Sequence, residues 1–269
     1  MSKLKSVYIV VDIEGISGVC NPAQCSASGH LYAEGRRMMT EDINICVKAC
    51  KEAGVEKVYV ADVHGGTDLN AMWLELCEEA DGYILGCGYN DPNRFPFVEE
   101  CEAVILLGYH AKAGTDGGIL HHTMDGTNIE NYWINGMVTG ETGVDAGIVG
   151  DYGKPVIMVS GDDKVCAEAK ALMPWCVTAE VKKGITRNGG LLLPKAKAHA
   201  LIREKTIEAV KNYPNAKLVV YDKPVTLRVE HTNKRQLPSP MQRPYMKQID
   251  GRTFEVTGDT MEEALYRLW

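Results

Sequence analysis

Three short apolar stretches of this sequence end in residues that bind metal ions well and are costly to bury. Ser6-Val-Tyr-Ile-Val-Val11 runs into Asp12-Ile13-Glu14, Lys57-Val-Tyr-Val-Ala61 into Asp62-Val63-His64, and Ala103-Val-Ile-Leu-Leu107 into Gly108-Tyr109-His110. Side chains alternate in an extended segment, so Asp12 and Glu14 point to one side, and two like charges that close call for a cation between them. In an open parallel sheet, ligands bind beyond the carboxyl ends of the strands, where all three termini would meet. Carboxylates and imidazoles together make a donor set of zinc type. Each residue alone has a plainer use. Asp12 could cap a turn, Asp62 could cap a turn or orient His64, and His110 could be a hydrogen-bonded core histidine. Their joint placement on three strands is what points to a site.

Two further places could add to it. His121-His122 follows a glycine-rich loop at 114–118, and adjacent residues in an extended segment face opposite ways, so one of the two enters the crevice. Glu141 stands between Gly140 and Thr142 where a helix begins, a position that the helix dipole favours for an anion with or without a metal. A rival chemistry uses Asp12 as a phosphatase nucleophile, with Gly161-Asp162-Asp163 supplying a magnesium carboxylate in the manner of haloacid-dehalogenase-like enzymes. It leaves the histidines without a role and has Glu14 where a second Asp is expected. A third reading is a non-catalytic metal or peptide carrier.

The elements that would position these residues alternate in kind. Strand-length apolar runs alternate with segments of helical period, the pattern of an α/β fold with a mainly parallel sheet and flanking helices. Helices are expected at 31–53, from near Gly140, from Asp162 to Met173, near 195–212 and from Asp259. Strands are expected at 6–12, 57–61, 82–86, 103–107, 155–159, 225–231 and 253–257. Segments 119–124, 129–134 and 217–221 also read as strands, and Asn135-Gly136 as a hairpin turn. Pro238, Pro240 and Pro244 crowd one connection. The chain is therefore divided into a metal-binding α/β domain at 1–174 and a smaller α+β region at 175–269.

Composition narrows the classes. A net charge of −7 over 269 residues gives no general grip on nucleic acid or an anionic membrane. No apolar run approaches the ~18–20 residues that span a bilayer. Nine scattered cysteines without a Cys-x-x-Cys pair read as free thiols of a reducing cytoplasm.

Val11-Asp-Ile-Glu-Gly-Ile-Ser-Gly18, Asp62-Val-His64, Leu107-Gly-Tyr-His-Ala111, His122-Thr-Met124, Asn135-Gly136 and Gly140-Glu-Thr-Gly143 stand in the order and approximate spacing of one family. Over nearly its whole length the chain resembles the D-aminopeptidase family of zinc peptidases. The resemblance implies two zinc ions per chain, held by Asp12, Glu14, His64, His110 and Glu141 with Asp12 bridging, and His122 as the catalytic histidine. It also implies short peptides with an N-terminal D-residue such as D-alanine as substrates, and a homo-oligomer of two five-membered rings.

Overall fold

A computed structural model describes residues 3–65, 69–87, 93–233, 243 and 245–268. The first half follows its hydrophobic periods closely: β1 (Ser6–Val11), α1 (Tyr32–Glu52), β2 (Lys57–Asp62), β3 (Gly82–Ile84) and β4 (Ala103–Tyr109). The hairpin strands β5 (Ile129–Ile134) and β6 (Met137–Val138) come next, then α2 (Glu141–Asp151), β7 (Val156–Asp162) and α3 (Asp163–Leu172). The rest holds β8 (Val177–Thr186), β9 (Gly189–Leu192), α4 (Lys195–Asn212), β10 (Val225–His231), β11 (Met246–Gln248), β12 (Thr253–Gly258) and α5 (Met261–Leu268).

Seven strands form the main sheet in the order β3-β2-β1-β4-β7-β8-β9, parallel throughout except at the β8–β9 edge. The antiparallel strands β11-β12-β10-β5-β6 make a second sheet. Alternation along β1 serves two cores. Val7, Ile9 and Val11 pack with Met39, Ile43 and Val47 of α1 and Ala198 and Ile202 of α4, while Tyr8 and Val10 belong with α2, α5 and the second sheet. A strand buried on both faces is a near-continuous apolar run, which is why β1 and β4 stand out in the sequence.

Strand order reverses at β1, whose neighbours are β2 on one side and β4 on the other. The gap beyond the carboxyl ends of β1 and β4 is the topological switch point of the sheet. Backbone bonds stitch the two exits together: Asp12 donates its N–H to Leu107 O at 2.9 Å, and Gly15 to Gly108 O at 2.7 Å. Gly15 has no room for a side chain, since a Cβ there would stand 1.9 Å from Tyr109 O.

Two strand expectations change. Segment 119–124 is a loop because Leu120 and Met124 adopt left-handed φ of 54° and 62°, which ends any pleat. Segment 217–221 pairs with no strand and instead packs its backbone on α2, where a Cβ at Gly150 would lie 1.8 Å from Val219 O. The hairpin of β8 and β9 adds a pair of strands that the apolar periods do not announce. β8 and β9, which follow residue 174, extend the main sheet, and β5 and β6, which precede it, join the second one. Asn135 and Gly136 do turn a hairpin, with φ of 48° and 83°, and Asp162 caps α3 by accepting from Lys164 and Val165 N–H. The prolines at 238, 240 and 244 lie outside the described residues.

Candidate metal centre

Asp12, Glu14, His64, His110 and Glu141 meet at the switch point. Asp12 lies at its middle, with Oδ1 3.1 Å from His64 Nδ1 and Oδ2 3.4 Å from His110 Nε2. Glu14 Oε2 is 3.2 Å from the same His64 nitrogen, and Glu141 Oε1 is 3.2 Å from His110 Nε2. His122 completes the group, its Nε2 3.8 Å from Glu141 Oε1 and its ring stacked on His110 at 3.9 Å between centroids. Asp12, Glu14, His110 and Glu141 are buried, while His64 and His122 are half-buried.

All three imidazoles are oriented in one way. His64 donates from Nε2 to Cys25 O at 2.7 Å, His110 from Nδ1 to Ala111 O at 3.0 Å, and His122 from Nδ1 to Leu120 O at 2.8 Å. A ring that gives its outer N–H to a carbonyl has its other nitrogen left over, and that nitrogen ligates a metal or accepts a proton once it carries no proton of its own. The free nitrogens all face the carboxylates. Glu141 is steadied by Met124 N–H at 2.7 Å, and Asp12 by Ile13 N–H at 2.9 Å.

The charges do not balance on their own. Burial, and then the charge of Glu14, push the Asp12 carboxyl up to about 7. Burial would raise Glu14 too, but the imidazoles of His64, His122 and His110 hold it well below the usual carboxylate range. Against burial, His110 and then His122 draw Glu141 down to about 2, and Glu141, Asp12 and Glu14 lift His110 up to about 10. His64 rises well above its ordinary value, again against burial, chiefly through Glu14 and Asp12. Protons thus substitute for cations among these groups. Glu14 Oε2 and His110 Nε2 are buried and satisfied by no hydrogen bond, and such atoms cost about 1–3 kcal/mol each. A divalent ion would answer both, and two triplets of donor atoms, Asp12/Glu14/His110 and His110/His122/Glu141, each lie within 4.8 Å of one another. The donor set fits zinc.

His122 differs from the others. Burial and the neighbouring His110 charge lower its pKa, so it stays neutral and able to take a proton. His121 turns away, its Nδ1 accepting from Gly114 N–H at 3.2 Å. Asp62 stays out of the cluster: its carboxylate accepts from Asn70 N and Nδ2 and from Ala71 N, and Asn70 Nδ2 in turn reaches His64 O. Asp162 caps α3 and accepts from Ile119 N–H, and Asp163 accepts from Gly184 N–H, so neither carboxylate joins Asp12 as the phosphatase reading required.

Two residues escaped sequence reasoning. Lys182 is 1% exposed and donates from Nζ to the carbonyls of Glu14, Ile16 and Val19 at 2.5, 3.0 and 2.6 Å, holding the loop that carries the first two ligands. A register shift between Gly161 and Asp162 in β7 puts Val181 and Lys182 both inward, so simple alternation misplaces the lysine. Arg187 lines a cavity of about 260 Å³ onto which Glu14, His64 and His122 open. Its only signal was a cation at a turn.

Comparison with known proteins gives the family and the fold. A family model described as Peptidase_M55, D-aminopeptidase, matches residues 5–269. A D-aminopeptidase of Bacillus subtilis (strain 168) is 37% identical over 235 residues, covering 86% of this chain and 82% of its own. The solved structure of the Zn-dependent D-aminopeptidase DppA from Bacillus subtilis, a self-compartmentalizing protease, superposes with a TM-score of 0.90 at 31% identity, covering 98% of this chain and 95% of that one.

Proposed function

The chain belongs to the D-aminopeptidase family, and from that premise we propose that it is a zinc-dependent aminopeptidase for short peptides whose N-terminal residue is of D-alanine type. The carrying observation is the set of three imidazoles whose outer N–H groups are all tied to backbone carbonyls while their free nitrogens face buried carboxylates. In this reading two zinc ions per chain are held by Asp12, Glu14, His64, His110 and Glu141, with the two oxygens of Asp12 turned to different histidines. When bound, zinc supplies Lewis acidity toward the scissile carbonyl and acidifies water.

The chain's own groups do the rest. Neutral His122 Nε2 accepts a proton from the attacking water and returns it to the leaving amine nitrogen as the peptide bond opens. The hydrogen bond from His122 Nδ1 to Leu120 O keeps that nitrogen aimed into the cavity. Burial of the carboxylates and of His110 keeps bulk water from screening the developing charge.

Metal analysis of the purified protein with a screen of short D- and L-peptides tests this reading. About two zinc ions per chain and cleavage of D-alanyl di- and tripeptides are expected, and His122→Ala should abolish turnover while keeping the metal. Full activity in that variant removes His122 from the mechanism, and stoichiometric peptide binding without hydrolysis turns the reading to a carrier. The similarity to a self-compartmentalizing protease supports a homo-oligomer, proposed as a decamer, which light scattering would measure. Nine free cysteines fit a cytoplasmic setting, and among the described residues no helix is long and apolar enough to cross a membrane.

A further inference from the structure

Arg187 lies in the turn between β8 and β9 and lines the same cavity as Glu14, His64 and His122. Its place relative to His122 is set by the backbone. Leu120 N–H donates to Arg187 O at 2.7 Å, and Leu120 O accepts from His122 Nδ1 at 2.8 Å, so one residue joins the arginine to the histidine. The hairpin is pressed against this loop, since a Cβ at Gly184 would meet Gly117 O at 1.9 Å. Arg187 itself is exposed, and among the described residues its guanidinium has no hydrogen bond or ion pair.

An arginine that opens onto a cavity beside a glutamate, with no acid paired to it among the described residues, is available to an anion from outside. Its planar fork matches a carboxylate in two parallel hydrogen bonds. The cavity holds about 260 Å³, below the ~300–1,000 Å³ usual for drug-sized ligands, so only a short substrate is enclosed. A free di- or tripeptide carries an ammonium at one end and a carboxylate at the other, and the lining of this one cavity offers both an acidic residue, Glu14, and a cationic one, Arg187.

We propose that Arg187 receives the C-terminal carboxylate of a di- or tripeptide whose amino end lies against Glu14, His64 and His122, so that it selects short free-acid peptides. This rests on the aminopeptidase reading above and adds a specificity-determining residue to it. Arg187 takes no part in proton transfer, and its loss should act on substrate capture.

The test compares D-alanyl-D-alanine with its C-terminal carboxamide on zinc-loaded wild type, Arg187→Met and Arg187→Lys, with zinc content and circular dichroism confirming that each variant is folded and loaded. Wild type should favour the acid in kcat/KM by about 10–100-fold, the range of one charge-assisted contact. Arg187→Met should erase that preference through KM with kcat little changed, and Arg187→Lys should restore part of it. Equal loss on acid and amide, or no preference in wild type, overturns the proposal. If zinc-loaded wild type cleaves neither peptide, the aminopeptidase reading fails separately. Calorimetric binding of the same two uncleaved compounds then decides: tighter binding of the acid that Arg187→Met abolishes supports Arg187, and equal binding refutes it.

Discussion

Gly15→Ala tests whether the contact between the β1 and β4 exits sets the metal site. The added methyl would stand 1.9 Å from Tyr109 O and 2.4 Å from Gly108 C, where real side chains essentially never come within 3.0 Å. Both neighbours are backbone and cannot rotate aside, so the two exits must part by roughly 1 Å, a displacement that can cost ~100-fold in rate when it misplaces reacting groups. Asp12 and Glu14 lie on one side of that seam and His110 on the other. Metal sites hold their ligand distances to about ±0.2 Å, so a shift of this size weakens binding as well. Overpacking of this kind costs about 1–3 kcal/mol, which for a domain of this size lowers Tm by roughly 2–12 °C. The variant should therefore fold, retain less zinc after gel filtration and lose about 100-fold in kcat on a D-alanyl dipeptide. Gly251→Ala, where a Cβ meets nothing within 4 Å, is the control. Full zinc and full activity in Gly15→Ala, or equal damage in the control, would refute the reasoning.

Zinc loading should release protons. In the metal-free protein His110 titrates at about 10, so it is an imidazolium at pH 7, and Asp12 at about 7 is partly protonated; both must deprotonate to ligate. Calorimetry at pH 7 in buffers of different ionisation enthalpy should show about one proton or more expelled per chain, and no release would contradict this account. Because the His110 pKa is raised above its unfolded value of about 6.5, its pairing stabilises the metal-free protein fully below that pH and is lost as pH rises through about 10. Apo-protein Tm should decline over that window. Lys182→Met removes three donors from the 14–19 loop and also relieves the burial that pushes the ammonium down to about 8. A net loss of about 2–4 kcal/mol is expected in urea unfolding, with faster amide exchange at 15–19; unchanged exchange would show that the loop holds itself.

What could be read from the sequence depended on how locally each feature is determined. The ends of β1 and β4 were legible because a strand buried on both faces is a continuous apolar run, and the end of β2 because its Val58, Val60 and Ala61 are buried just before Asp62; Asp12, His64 and His110 follow these runs. Glu141 was not legible from its own surroundings, since a first-turn glutamate is ordinary helix chemistry and only the tertiary fold brings α2 to the end of β4. Alternation left His121 and His122 as a choice of one. Main-chain bonds that no local pattern announces distinguish the two rings: His122 donates from Nδ1 to Leu120 O, and His121 accepts at Nδ1 from Gly114 N–H. Lys182 and the hairpin it sits in were hidden because a two-lysine, glycine-broken stretch has no clean period, and the shift at Gly161/Asp162 reverses the facing of its middle.

One physical rule links the legible part to the hidden part. The three imidazoles are aimed by carbonyls of Cys25, Ala111 and Leu120, and the carboxylates Asp12 and Glu141 by the N–H groups of Ile13 and Met124, so the centre is oriented by main chain. Orientation by main chain tolerates changes in neighbouring side chains and is sensitive to the path of the backbone. The exits of β1 and β4 can approach closely enough only where Gly15 and Gly108 leave room. A Cβ at Gly108 would lie 2.3 Å from Asp12 O, and its φ of 74° is one that L-residues rarely adopt. The residues that fix this site most tightly are therefore the glycines, which carry no chemistry of their own, and Lys182, which spends its charge on three carbonyls and touches no ligand side chain.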